Sequence, residues 1–152
     1  MNQITSDEEF RKALQDLNET QQGVIAAKFV EHVLSLSTDE RVGRVVKVAA
    51  DESASQDELA AALKSAKAAA IESYTRCGSE GDWTEQAGYF VARAAVAAVT
   101  PQAQAKKNPV WSAAMSSRMA RTSMLIDDEQ SAGKTHSENE WQYDTLSEYL
   151  QS

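Results

Sequence analysis

The residues of this chain that could do chemistry are few: one cysteine, two histidines, and acidic runs at 39–40, 51–52, 57–58 and 127–129. A carboxylate-bridged metal site in a helical bundle draws glutamates from several helices and a Glu-x-x-His pair from each of two facing ones. Neither His32 nor His136 has a glutamate three residues before it, and Glu31 beside His32 points elsewhere on a helix. With no His-Glu-x-x-His run and no EF-hand loop, no metal and no cofactor is expected. Each acidic run falls at an expected helix end, where capping and hydration account for it. Cys77 stands near an expected helix C-terminus, where the negative end of the dipole disfavours a thiolate. No serine lies in a nucleophile elbow, so no catalytic residue is assigned. Gly78-Ser79-Glu80-Gly81 precedes a helix, yet it follows a helix rather than a strand, and Glu80 and Asp82 would repel a phosphate.

Binding chemistry is better represented. The 76–93 segment joins a glycine-rich turn to Trp83, Tyr89, Arg76 and Arg93, the residue types concentrated at interaction hot spots. The 78–83 turn is therefore expected to carry the main contact, with the aromatics as rigid anchors and the arginines as fork-shaped donors to carboxylates. Arg118 and Arg121 lie three apart, one to two turns from Trp111, and form the local basic patch. They suit a carboxylate or phosphate ligand, or else neutralise acidic neighbours. The candidate partner- or ligand-binding residues are thus Arg76, Trp83, Tyr89, Arg93, Trp111 and Arg118.

The elements that must position these residues are written in caps. Ser6/Glu9, Ser37/Glu40, Ser55/Glu58, Asp82/Glu85 and Ser137/Glu140 share capping-box spacing, and each precedes a helical pattern. The periodicity predicts helices over 7–17, 18–36, 38–50, 56–77, 83–99, 109–128 and 138–150. Asn18 with Gln21 caps the second, Gly78 stops the fourth, and Asn108-Pro109 starts the sixth. The fold class expected is all-α: a single domain over 1–152, a bundle of six to seven helices packed antiparallel or orthogonally. Residues 129–137 read as a mobile loop.

Apolar residues make up 42% of the chain, with alanine heavily represented among them, and aromatics make up 7%. Closely approaching helices with few large anchors follow, and the anchors expected are Phe10, Phe29, Val33, Leu36, Leu59, Leu63, Phe90, Trp111 and Leu125. In the fourth helix the expected buried stripe is Leu59, Ala62, Leu63, Ala66, Ala70 and Tyr74. A formal charge of −8 argues against nucleic acid and anionic membranes as partners. The sequence starts without the basic and apolar regions of a signal peptide, and no stretch is apolar over about eighteen residues. A cytoplasmic protein is expected.

The Val33–Leu36 helix end, the 39–41 Asp-Glu-Arg turn and the alanine runs at 66–70 and 92–95 resemble alanine-rich, all-helical bacterial immunity proteins. That resemblance spans about half the chain and implies a small helical protein that neutralises a toxin by binding it. No site residue is carried over from it. The leading expectation is a non-catalytic helical protein acting by protein–protein binding, immunity or antitoxin-like in its specific form. One alternative is a small-ligand binder or enzyme with a pocket between the fourth, fifth and sixth helices, around Tyr74, Trp83, Tyr89, Trp111 and Arg118. Another is a homo-oligomer packed through alanine faces. Treatment with a chelator is expected to leave the thermal midpoint unchanged, and Cys77→Ser to leave the circular dichroism spectrum intact. A large chelator-induced drop in the midpoint would reveal a metal site among the scattered carboxylates and His32.

Overall fold

Capping chemistry sets where most helices begin. The structure, a computed structural model, describes residues 4–80, 83–101, 105, 108–125 and 134–151, with their side chains except those at 76–80, 83, 84, 125 and 134–137. Among the described residues there are seven α-helices: α1 (Asp7–Gln15), α2 (Glu19–Val33), α3 (Glu40–Ala50), α4 (Gln56–Glu80), α5 (Trp83–Val99), α6 (Pro109–Leu125) and α7 (Lys134–Gln151). A 3₁₀ turn, Leu34–Leu36, ends α2. No strand occurs among the described residues, and the fold is an all-α bundle.

Ser6 Oγ accepts from Glu9 N at 3.2 Å, while the Glu9 carboxylate reaches back to Thr5 N rather than to Ser6 N. Asn18 with Gln21, and Ser55 with Glu58, form reciprocal boxes. Asn108 Oδ1 accepts from Val110 N and Trp111 N at the start of α6.

Other expected boundaries are corrected. The cap of α3 is Asp39, not Ser37: Asp39 Oδ1 accepts from Arg41 N, and Ser37 Oγ instead accepts from Asp39 N. Asp39 also takes the Arg41 guanidinium in a fork, Nε–Oδ1 at 3.0 Å and Nη2–Oδ2 at 2.7 Å, while Arg41 Nη2 contacts Glu72 on α4. One carboxylate thus starts α3 and orients the cation that ties it to α4.

Gly78 does not stop α4, which continues to Glu80, and no described glycine takes the positive φ that a helix-stopping glycine needs. Ser137 lies inside α7, which begins at Lys134, so 134–137 are helical rather than loop. Burial of Glu138 against α2 and α6 fixes this stretch as helix and overrides the local cap signal. The remainder of the expected loop, 129–133, lies outside the described residues, as do Asp82 and 126–128.

Helix α5 is the hub, in contact with α2, α3, α4 and α6 and most extensively with α4 and α6. Its buried face is Ala87, Val91, Ala92, Ala94, Ala95, Ala98 and Val99; α4 offers Ala62, Ala66 and Ala69, and α6 offers Ala113, Ala114 and Ala120. Such short side chains hold axes at the low end of the roughly 8–10 Å range of helix packing. Large residues collect elsewhere, where Phe10 ties α1 to three helices. Its ring centroid lies 5.7 Å from Phe29, 6.1 Å from Trp111 and 5.4 Å from Tyr143.

Of the expected anchors, Phe10, Phe29, Val33 and Leu63 are buried, while Leu36, Leu59, Phe90 and Trp111 are partly buried against the core. The side chain of Leu125 lies outside the description. Tyr74 is a correction: it is 65% exposed, and Ser73 is buried in its place. At about 100° per residue, Ser73 sits about 20° around the helix from Ala66 and Tyr74 about 80°.

No described helix is long and apolar enough to cross a membrane. Enlarging the tight α5 face should strain the bundle. Ala95→Leu is expected to lower unfolding free energy by about 1–3 kcal/mol in urea titration, whereas Ala61→Leu, on an exposed position of α4, should change it little.

Candidate functional site

The face of α4 turned away from its alanine stripe presents Lys67, Ala70, Ile71 and Tyr74, spaced i, i+3, i+4, i+7 on one side of the helix. Opposite it, α5 presents Tyr89, Arg93, Val96 and Ala97, with Thr100 just past its end, and α6 closes the third side with Pro109, Ser112 and Ser116. Together with Ala105 these residues line a groove of about 720 Å³, most of its surface apolar. Short side chains (Ala70, Ala97, Ser112 and Ser116) leave it hollow, and longer ones raise its walls. Tyr74 and Tyr89 face each other at 5.6 Å between ring centroids, so the end of α4 meets the start of α5. Tyr89 is braced by Phe90 at 5.4 Å, and the Arg93 guanidinium lies 5.7 Å from its ring. Ile71 is 66% exposed.

The charged residues lining this groove are Lys67 and Arg93, and neither has a carboxylate partner among the described residues. A second hollow, of about 610 Å³, lies where α2 and α4 begin and α3 and α5 end. Its floor is made of small residues such as Gly23, Ala26 and Ala98, and its charged lining, Glu19, Asp51, Glu52 and Asp57, is acidic throughout.

The structure divides the candidate residues chosen from the sequence. Tyr89 and Arg93 stand together in the groove. Arg76 lies on α4 and Trp83 on α5, with side chains outside the described residues. Within the supposed 78–83 turn, 78–80 and 83 are helical, and 81–82 lie outside the described residues. Trp111 and Arg118 line neither hollow; Trp111 packs on Phe10 and lies under the Arg11 guanidinium, 5.2 Å away. Lys67 and Ile71 were not singled out from the sequence, because placing Tyr74 in the buried stripe turned their face inward.

Arg118 serves the architecture. Its Nε donates to Gln142 Oε1 at 2.7 Å and its Nη1 to Asp7 Oδ2 at 3.1 Å, with Nη2 2.9 Å from Asp7 Oδ1. The Tyr143 hydroxyl donates to the same Asp7 carboxylate at 2.7 Å, and buried Gln142 donates from Nε2 to Ala114 O. The Arg118 bond holds the Asp7 carboxyl below its usual range against the opposing effect of partial burial, with Tyr143 assisting. Burial pushes the Tyr143 hydroxyl up, and its bond to the Asp7 carboxylate pushes the same way.

One turn on, Arg121 Nε meets Glu138 Oε1 at 3.2 Å, and Arg121 Nη2 donates to the His32 carbonyl oxygen. His32 Nδ1 lies 2.8 Å from Glu138 Oε2, and its ring stacks on Trp141 at 3.6 Å. The basic patch of α6 therefore neutralises acidic residues of α1 and α7. No group of three or more potential metal-ligating side chains gathers among the described residues.

Compared with known proteins, the chain matches no family model, no curated protein and no solved structure.

The Asp7 cluster makes a pH-dependent contribution to stability. A folded-state value below the unfolded one gives stability that is present above the ordinary carboxylate range, near 3.9, and is lost as pH falls through the folded value. Asp7 is half-exposed, so screening limits the effect: Asp7→Asn is expected to cost no more than about 1 kcal/mol at pH 7. Urea midpoints of wild type and variant should converge between roughly pH 5 and pH 2. A gap that persists at pH 2 would show that the carboxylate charge is not responsible.

Proposed function

We propose that this is a non-catalytic binding protein that docks a partner protein in the groove between α4, α5 and α6. The observation that carries this reading is the pair of large apolar side chains held in water at the groove, Ile71 at 66% exposed and Tyr74 at 65%. Burying such side chains yields roughly 1.5–3 kcal/mol each, and exposed apolar patches of useful size mark interaction surfaces. Tyr89 and Arg93 add a rigid aromatic and a fork-shaped donor, the residue types that dominate binding hot spots. An immunity or antitoxin-like factor is the specific form we favour, because neutralising a toxin needs a docking face and no catalytic group. A cytoplasmic setting goes with that form.

A second reading has an observation of its own. The groove volume of about 720 Å³ falls within the 300–1,000 Å³ range of small-molecule sites, so the same surface suits an amphiphilic small ligand.

The test compares proteins retained from the native host by wild type, Ile71→Asp, Tyr74→Asp and the remote control Glu148→Ala, each checked by circular dichroism. A true partner is expected to be held by wild type and control and to fall at least tenfold on both groove variants. A partner held equally by all four overturns the groove as the docking site. A small molecule co-purifying with wild type in native mass spectrometry, and lost from Ile71→Asp, would establish the second reading.

A further inference from the structure

We infer that the partner element taken by the groove is an amphipathic helix with an acidic polar margin. This rests on the binding role proposed above and names the class of its partner.

Shape selects a helix. The groove follows α5 from Tyr89 to its end and reaches Thr100 just beyond it, a span of about 16 Å at 1.5 Å per residue, which matches about three turns of a docked helix. Its floor of Ala97, Ser112 and Ser116 is shallow between raised walls, the form that receives anchors spaced i, i+4, i+7. Among the described residues there is no strand to offer a sheet edge to an extended peptide.

Charge selects the margin. In a chain of net charge −8, the charged residues lining the groove among the described residues are both cations, Lys67 on the α4 wall and Arg93 on the α5 wall. A docked helix would have one on each flank. Arg93 already lies over Tyr89, so less side-chain freedom is lost when it pairs with a carboxylate. The α4 carboxylate beside Ile71, Glu72, is engaged by Arg41. The remaining acidic surface acts weakly beyond the screening length of about 8 Å at physiological salt. A neutral or basic helix would desolvate both cations without a partner for either. A second copy docked by two-fold symmetry would set Lys67 and Arg93 against themselves.

The experiment selects twelve-residue helical peptides from a displayed library on the purified full chain. Winners are then measured by fluorescence anisotropy against wild type, Ile71→Asp and the double variant Lys67→Glu/Arg93→Glu, all checked by circular dichroism. Winners are expected to carry large apolar residues at i, i+4, i+7 flanked by Asp or Glu. The double variant should weaken them at least tenfold, and peptides with those acids changed to Lys should regain affinity for it. Winners with neutral or basic margins, or indifferent to the double variant yet lost on Ile71→Asp, overturn the acidic assignment and leave the groove standing. Winners that bind Ile71→Asp as well as wild type overturn the groove itself. No winners, or dimers of the chain that Ile71→Asp dissolves, overturn the helical partner; dodecanoate binding without winners identifies a small amphiphile instead.

Discussion

The close approach of α5 to α4 and α6 is the constraint on which the rest of the molecule depends. Alanines on all three helices set that distance, and a short contact multiplies dispersion between backbones at little cost in side-chain entropy. The same choice removes bulk from the interior. A core of alanine releases less hydrophobic free energy per residue than one of leucine, so the large anchors must gather in a second zone. They do so around Phe10, where α1, α2, α6 and α7 meet. The bundle thus has a tight half and an aromatic half, and α6 spans both.

The groove is a consequence of the tight half. Helices held close by small residues also carry small residues on their outer margins, here Ala70, Ala97, Ser112 and Ser116. Three neighbouring helices with short margins leave a hollow between them. The large side chains of α4 that have no room in the alanine seam, Ile71 and Tyr74, then stand at the rim. Exposed apolar walls over a small-residue floor follow from one packing decision.

How much of this was legible in the sequence depends on whether the signal was local. Caps at Asn18, Ser55 and Asn108 are made by residues two or three positions away, and the helices they start were readable. The face assignment of Tyr74 was not, because over a 25-residue helix a stripe counted as 59, 63, 66, 70, 74 slips against a true period of 3.6. Continuity of α4 through Gly78 was equally hidden, since a glycine near a helix end reads as a stop, while its cost inside a helix is only about 1 kcal/mol. Arg118 and Trp111 looked like binding residues because their types are common at interfaces. Their actual partners, Asp7, Gln142 and Phe10, come from other helices. The groove was half visible: Tyr89 and Arg93 by type and Tyr74 through the alternative of a pocket between the fourth, fifth and sixth helices, Lys67 and Ile71 only once the orientation of α4 was known.

The two sides of α6 show what the groove lacks. On one side, α7 lies against α6 with Leu146 and Gln142 buried, and its carboxylate Glu138 sits between Arg121 of α6 and His32 of α2. An acidic helix docked beside basic side chains is therefore an arrangement the chain already forms within itself. On the other side, Ser112 and Ser116 face a hollow bordered by apolar walls and by Lys67 and Arg93. Where α7 covers α6, an ion-paired carboxylate and a buried leucine complete the packing; in the groove, two cations and apolar walls stand at the surface. An intramolecular helix gains from its high effective concentration, so α7 tolerates a costly buried carboxylate such as Glu138. A separate partner of the kind proposed would have no such advantage, and pairing at exposed cations, where desolvation costs less, is the arrangement open to it.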